Sequence, residues 1–311
     1  MAKIFDGKVA IVTGGGRGIG RAECLLFAQE GAKVVVNDFG GEADGTGAAK
    51  GPADEVVAEI KKMGGEAVAN YEDVSSFQGA ERLIKQALDT YGQLDILINN
   101  AGILRDRMVF NMTEEEWDRV MAVHLKGHFN CTKFACLYWR ERWKREQKGG
   151  CIVNTSSEAG LGNMGQANYS AAKEGIVGLT RTVALDMGRY GVRVNCIRPR
   201  AATRLTVTPE LKAAMEKARA AGIPGPIEEA GFDITALDPA GVAPIVAWLC
   251  TDAAANVNGR TFLACTGTVG LYSEPVIIRS IHKEGNFTLD ELSKLMPTVT
   301  AGLVNPAPPR L

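Results

Sequence analysis

A glycine run at a strand–helix junction restricts this fold more than any other feature. The β-branched run Lys8 to Thr13 passes into Thr13-Gly14-Gly15-Gly16-Arg17-Gly18-Ile19-Gly20, and Ala22 to Glu30 then carries apolar residues at three and four spacing. Glycine at 14, 18 and 20 lets the backbone turn tightly, approach a bound group without a Cβ in the way, and bring the helix down onto the sheet. The free N–H groups around Gly18, Ile19 and Gly20, with the positive end of the helix dipole, suit a pyrophosphate. Such a loop alone is weak evidence. Its place between a strand and a helix gives it weight.

The rest of the chain repeats that alternation. Strands are predicted at Lys8 to Thr13, Lys33 to Asp38, Glu66 to Asn70, Leu94 to Asn99, Cys151 to Thr155, Val192 to Ile197 and Arg260 to Ala264. Between most of them lie helical patterns, at Ala22 to Glu30, Ala80 to Tyr91, Trp117 to Trp139 and Tyr169 to Met187. This rhythm predicts an α/β, Rossmann-type, doubly wound sheet of seven parallel strands with helices on both faces and a ligand crevice at the carboxyl ends of the strands. Residues 1–270 are expected to form one domain. Within it, Gly40 to Pro52 reads as a surface loop, and the insert 203–236, with a helical piece at Pro209 to Ala221 and a turn at Gly222 to Pro226, is expected to cover a substrate crevice. Residues 271–311 form an extension expected to pack on or beside that domain, with a short helix at Leu289 to Leu295 and a mobile Pro-rich end.

Composition narrows the function classes. A formal net charge of -1 and the absence of a basic stripe argue against nucleic acid. No apolar run approaches a membrane span, and Met1 to Gly7 has no apolar signal core, so neither membrane insertion nor secretion is expected. Seven scattered cysteines lack the spacing of a disulfide framework and suit a reducing, cytoplasmic setting. The three histidines complete no zinc set, so no metal is expected. His124 and His128 sit one helical turn apart and read as helix packing.

About 20 residues past the glycine loop, the second strand Val34-Val35-Val36-Asn37 ends in Asp38. A carboxylate there accepts hydrogen bonds from adenosine ribose hydroxyls and repels a 2′-phosphate. Arg17 would have to overcome Asp38 to hold that phosphate, so NAD is the expected cofactor.

Taken together, Thr13 to Gly20, Asn99-Asn100-Ala101-Gly102 and Tyr169-x-x-x-Lys173 resemble, in order and spacing, the short-chain dehydrogenases over roughly residues 5–270. A narrower likeness runs through Asn37 to Gly41, Asn99 to Met108, Gly165 to Lys173, Val242 to Cys250 and Gly285 to Thr288. These stretches resemble the (3R)-hydroxyacyl-CoA dehydrogenase units of peroxisomal multifunctional β-oxidation enzymes, and bacterial single-domain relatives acting on steroids or sterol side-chain CoA esters.

The resemblance implies a metal-free exchange of hydride between a secondary alcohol and NAD. It implies that Asp73 and Val74 contact adenine and that Asn100, Ala101, Gly102 and Pro199 line the cofactor pocket. Tyr169 is then the base for the hydroxyl proton, its pKa drawn down from the ordinary value near 10 by the Lys173 ammonium and the nicotinamide charge. Four apart on one helix, the two side chains can share a face, and Lys173 would also hold the nicotinamide ribose. Ser157 would hydrogen-bond the reacting oxygen. The loop to Tyr169 is one residue shorter than the family's, so counting back gives Ser156, whereas alignment from Thr155 gives Ser157. His124 stands where the family usually has a catalytic asparagine, which acts largely through its backbone carbonyl. Arg200 replaces a common glycine and reads as solvent-facing or as a partner for a substrate phosphate. The implied substrate is a 3-hydroxyacyl-CoA, with or without a steroid nucleus. Free steroid alcohols, reduction of a 3-ketoacyl thioester and a non-catalytic dinucleotide sensor are the alternatives. Family members commonly pair through two long helices, so a homodimer or homotetramer is implied, although a buried core explains the apolar residues of those helices equally well.

Overall fold

The computed structural model describes residues 3–208, 213, 215–217 and 233–304. Strands β1 (Val9–Thr13), β2 (Lys33–Asn37), β3 (Glu66–Asn70), β4 (Ile96–Asn99), β5 (Cys151–Thr155), β6 (Arg193–Pro199), β7 (Thr261–Cys265) and β8 (Thr268–Leu271) form one sheet in the order β3-β2-β1-β4-β5-β6-β7-β8. The first seven run parallel. The strand order reverses between β1 and β4, which opens a crevice at the carboxyl ends of those two strands.

Among the described residues the sheet has eight strands rather than the seven expected. β8 returns antiparallel on β7, Cys265 facing Thr268 across a two-residue turn at Thr266 and Gly267, with Gly267 at φ +73°. A glycine at positive φ is what such a tight hairpin requires.

Alternation along the strands sorts side chains to two faces. Ala10, Val12, Val34, Val36 and Val153 join one core with α1 (Gly18–Gln29), α2 (Gly51–Lys62) and α7 (Ala243–Leu249). Val9, Ile11, Val35 and Ile152 join the other with α3 (Phe77–Tyr91) and α5 (Gly127–Glu146). Each such fully buried Val or Ile contributes about 1.5–3 kcal/mol of transfer free energy, so both faces have to be covered.

The long helix expected at Trp117 to Trp139 is interrupted. α4 (Glu114–Met121) opens on a capping box between Thr113 and Glu116, passes through a π-helical turn at Ala122–Lys126, and resumes as α5. α6 (Ala167–Gly188) completes the layer. The loop after β2 ends earlier than expected, because Pro52 already lies in the first turn of α2, where its missing N–H costs nothing. The helical piece and turn expected within the insert lie outside the described residues, apart from 213 and 215–217, which are helical. The Pro-rich end also lies outside them.

Two compact units emerge, Met1–Tyr272 and Ser273–Leu311. In the second, α8 (Leu289–Thr300) opens on a capping box between Thr288 and Glu291 and runs on past the short helix expected there. No helix among the described residues is long and apolar enough to cross a membrane. All seven cysteines are free.

Candidate active site

At the β1–β4 reversal lies a cavity of about 740 Å³, lined at one end by Gly14, Arg17, Gly18, Ile19, Asp38, Asp73 and Val74. Asn100, Ala101, Gly102 and Pro199 line its middle, and His124, Ser156, Ser157, Tyr169 and Lys173 its other end. Gly20 is the exception among the expected cofactor residues. It does not line the cavity, and a Cβ there would run into the Gly14 carbonyl and the Asn100 amide. Its lack of a side chain serves the packing of α1 on the sheet.

The glycine loop packs tightly at Gly14 and stays open at Gly18. Gly14 lies at φ +63°, where an added Cβ would stand 2.9 Å from the Ala101 Cα. Gly18, at φ +53°, meets only Thr203, at 3.4 Å. The N-cap of α1, Arg17, makes no side-chain capping bond, so the first-turn N–H groups have no side-chain acceptor there. A pyrophosphate fits such a terminus, and these residues would hold it. Thr13 joins the two strands beneath: its hydroxyl accepts from the backbone N–H of Asn100 at 3.0 Å and of Ala101 at 3.1 Å. The Asn100 amide in turn donates to the carbonyls of Thr13 at 3.1 Å and Gly14 at 3.2 Å.

Asp38 follows β2 and is nearly buried. Its carboxylate accepts from the backbone N–H of Gly16 at 2.9 Å and of Gly40 at 2.7 Å. Those bonds aim it into the cavity and leave lone pairs for further donors. Arg17 and Arg204 both donate to the Gly41 carbonyl, at 3.3 and 3.0 Å. Asp73 pairs with Arg119 at 3.6 Å, and that arginine, on α4, also lines the cavity. No local spacing in the sequence singled out Arg119 or Arg204.

At the other end, the two serines separate cleanly. The Ser156 hydroxyl is fully buried and donates to the Lys173 carbonyl at 2.7 Å. The Ser157 hydroxyl instead accepts from the Ala159 N–H at 3.2 Å, and the residue lines the cavity with Tyr169, whose pKa it lowers. The Lys173 ammonium donates to the Thr155 carbonyl at 2.7 Å and stands 5.3 Å from the centre of the Tyr169 ring. Strands β4 and β5 are pinned below by a buried polar chain: Asn99 donates to Thr132 and to Asn154, and Asn154 donates to Thr180.

Burial governs the electrostatics. It pushes Tyr169 up to about 12, against the lowering effect of the Ser157 hydrogen bond, and Asp106 adds to the rise. Burial likewise brings Lys173 down to about 7. The expected downward pull on the tyrosine is therefore not built into the protein alone. Lys173 sits over the ring and gives one of its donors to the Thr155 carbonyl, and burial prevails.

His124 is buried on the π turn, its ring edge-on to that of Tyr169 with centroids 5.0 Å apart. Its Nε2 lies 2.8 Å from the Ile103 carbonyl and 3.0 Å from the Ile103 N–H. Burial, then the Lys173 charge, hold its pKa well below the usual imidazole value. Gly102 makes room for it, since a Cβ there would overlap the imidazole. His128 is equally buried and is driven down to about 3, first by burial and then by the Lys173 charge. Its Nε2 has no partner among the described residues. π turns within helices occur frequently at functional sites. Arg200 forms a bidentate pair with Glu158, at 2.5 and 2.7 Å, and its side chain stays about 30% exposed.

Known proteins place the chain in a family. The family model described as short chain dehydrogenase matches residues 8–215. A hydroxyacyl-CoA dehydrogenase of Mycobacterium tuberculosis is 46% identical over 303 residues, covering 96% of this chain and 88% of that protein. The mouse peroxisomal multifunctional enzyme type 2 is 44% identical over 267 residues, 86% of this chain, and the chain spans only 32% of that enzyme's length. The crystal structure of a short chain dehydrogenase from Mycobacterium avium superposes with a TM-score of 0.82 at 43% identity, covering 98% of each chain. With this coverage and a matching sheet, the chain belongs to the short chain dehydrogenase family and is an oxidoreductase.

Proposed function

We propose that the protein oxidises the 3-hydroxyl of a 3-hydroxyacyl-CoA, bare or carrying a steroid nucleus, to the 3-keto thioester, with NAD as the acceptor. The observation that carries this reading is the cavity itself. One wall joins Asp38 and the uncapped α1 terminus to Ser157, Tyr169 and Lys173, so a dinucleotide held at the first would present its ring to the second. NAD, when bound, supplies the hydride acceptor. The residues do the rest: the Tyr169 oxygen takes the hydroxyl proton, Ser157 donates to the reacting oxygen, and Lys173 holds the ribose and steadies charge on the phenol oxygen. The thioester comes from the mycobacterial relative, whose name is hydroxyacyl-CoA dehydrogenase. Formation of NADH from 3-hydroxybutyryl-, 3-hydroxydecanoyl- and 3-hydroxyhexadecanoyl-CoA, set against free steroid alcohols, tests it. Turnover confined to the free steroids would replace the substrate class.

NAD is preferred over NADP because the Asp38 carboxylate lies where a 2′-phosphate would need room. Arg17 and Arg204 already converge on the Gly41 carbonyl nearby. Asp38→Ala therefore removes the repelling charge and leaves two cations behind. The ratio of kcat/KM for NADP to that for NAD is expected to rise about tenfold or more, since juxtaposed like charges cost several kcal/mol. A ratio equal to that of the parent in steady-state assays refutes the assignment.

A further inference from the structure

We propose that Arg198 is a positioning residue that sets the distance between the two chain segments bearing Ser157 and Lys173. The inference rests on the reading that those two side chains serve the reaction.

Arg198 is the penultimate residue of β6, with a side chain only 4% exposed. Its guanidinium donates through Nη1 to the Ser157 carbonyl at 3.1 Å. Through Nη2 it donates to the Glu174 carboxylate at 2.7 Å, on the residue after Lys173. One rigid fork thus spans the end of β5 and the middle of α6. A planar guanidinium fixes two acceptors at once, which a single ammonium on a flexible stem does poorly.

A second set of contacts holds the fork from above. The Tyr272 ring lies over it, 5.1 Å from the guanidinium carbon. The Tyr272 hydroxyl donates to Glu158 at 2.8 Å, and Glu158 is the carboxylate clamped by Arg200. Glu158 follows Ser157 directly, so the serine is tied through its own carbonyl and through its neighbour. Gly160 keeps the space open, since a Cβ there would stand 3.0 Å from the Glu174 carboxylate. None of these groups lines the cavity, so they act on the reaction only through the segments they hold.

The test compares Arg198→Met, Arg198→Lys, Glu174→Ala and the double variant Arg198→Met with Glu174→Ala. Turnover of 3-hydroxydecanoyl-CoA with NAD is measured beside NADH affinity by fluorescence. A displacement near 1 Å at a reacting group costs up to about a hundredfold, so Arg198→Met is expected to lower kcat by roughly ten- to a hundredfold, with NADH affinity changed by no more than a few-fold. Arg198→Lys should recover part of the loss. Glu174→Ala should lose less, and should add nothing in the double variant, because both changes break one bridge. Parent-like kcat in Arg198→Met, or an equal fall in kcat and NADH affinity, overturns the proposal. Should Arg198→Met fail to fold, parent-like kcat in Glu174→Ala, a half-exposed site, overturns it alone. Ser157→Ala is run alongside: if that variant keeps its turnover, the site reading itself fails. If it is inactive while Arg198→Met is normal, only the positioning inference falls.

Discussion

Tyr169→Phe is expected to lower the rate of alcohol oxidation by roughly 10²–10⁴-fold, the span that a positioned proton-transfer group supplies. NADH affinity should change by no more than a few-fold, because the glycine loop and Asp38 at the far end of the cavity are untouched. The pH profile follows from burial. In the free protein Tyr169 is pushed up to about 12 and Lys173 down to about 7, so both are held toward their neutral forms. Oxidation needs the phenol oxygen without its proton, and the rate governed by the free protein therefore climbs with pH across the accessible alkaline range. Reduction needs the proton in place and is favoured as pH falls. The positive charge brought in with oxidised dinucleotide favours the phenolate, so kcat should level off at a lower pH than kcat/KM for NAD. Residual turnover in Tyr169→Phe should lose this alkaline climb. A variant retaining more than about a tenth of the parent rate would assign the proton transfer to another group.

What the sequence disclosed was local. The glycine loop, Asp38 and the Tyr169–Lys173 pair lie within one turn or one strand end, where spacing alone fixes which side chains share a face. The strands beneath are unambiguous because both faces are covered, so they read as continuous apolar runs. The missed features depend on distant partners or on subtle local choices. β8 is four residues long, with a glycine at 270 and mostly exposed side chains, so neither length nor alternation marks it. Apolar spacing at three and four cannot separate an α-helix from one with a π turn, and His124 lies on that turn. The Arg198–Ser157 and Tyr272–Glu158 contacts close over 41 and 114 residues, beyond any motif. Gly20 shows how one residue type serves two ends. The same pattern that shapes a phosphate loop also brings a helix against a strand. The Ser156 hydroxyl turns to the Lys173 carbonyl and that of Ser157 to the Ala159 N–H, a difference that counting along a shortened loop does not give.

Glu23→Gln is expected to stabilise the fold near neutral pH, by an amount that grows between mildly acidic and mildly alkaline solution. α1 buries Gly20, Glu23, Cys24, Phe27 and Ala28, a helical stripe in which the glutamate takes an inward position meant for an apolar side chain. It is fully buried, and neither carboxylate oxygen has a hydrogen-bond partner among the described residues. Burial raises its pKa from 4.5 to about 8. A pKa raised on folding gives a contribution that is fully present below about 4.5 and is lost as pH rises through about 8. At pH 7 the unfolded chain has released this proton and the folded chain still holds it, a loss on the order of 3 kcal/mol relative to acid. Glutamine keeps the volume and carries no proton to lose. Glu23→Met also removes the buried polar group, and replacing such a group by an apolar side chain of similar size is often neutral or stabilising. Denaturant unfolding at pH 5.5 and 8.5, at equal protein concentration, should show the parent losing on the order of 3 kcal/mol that the glutamine variant keeps. Parallel stability curves for the two proteins would mean that the carboxylate is ionised and satisfied inside the fold.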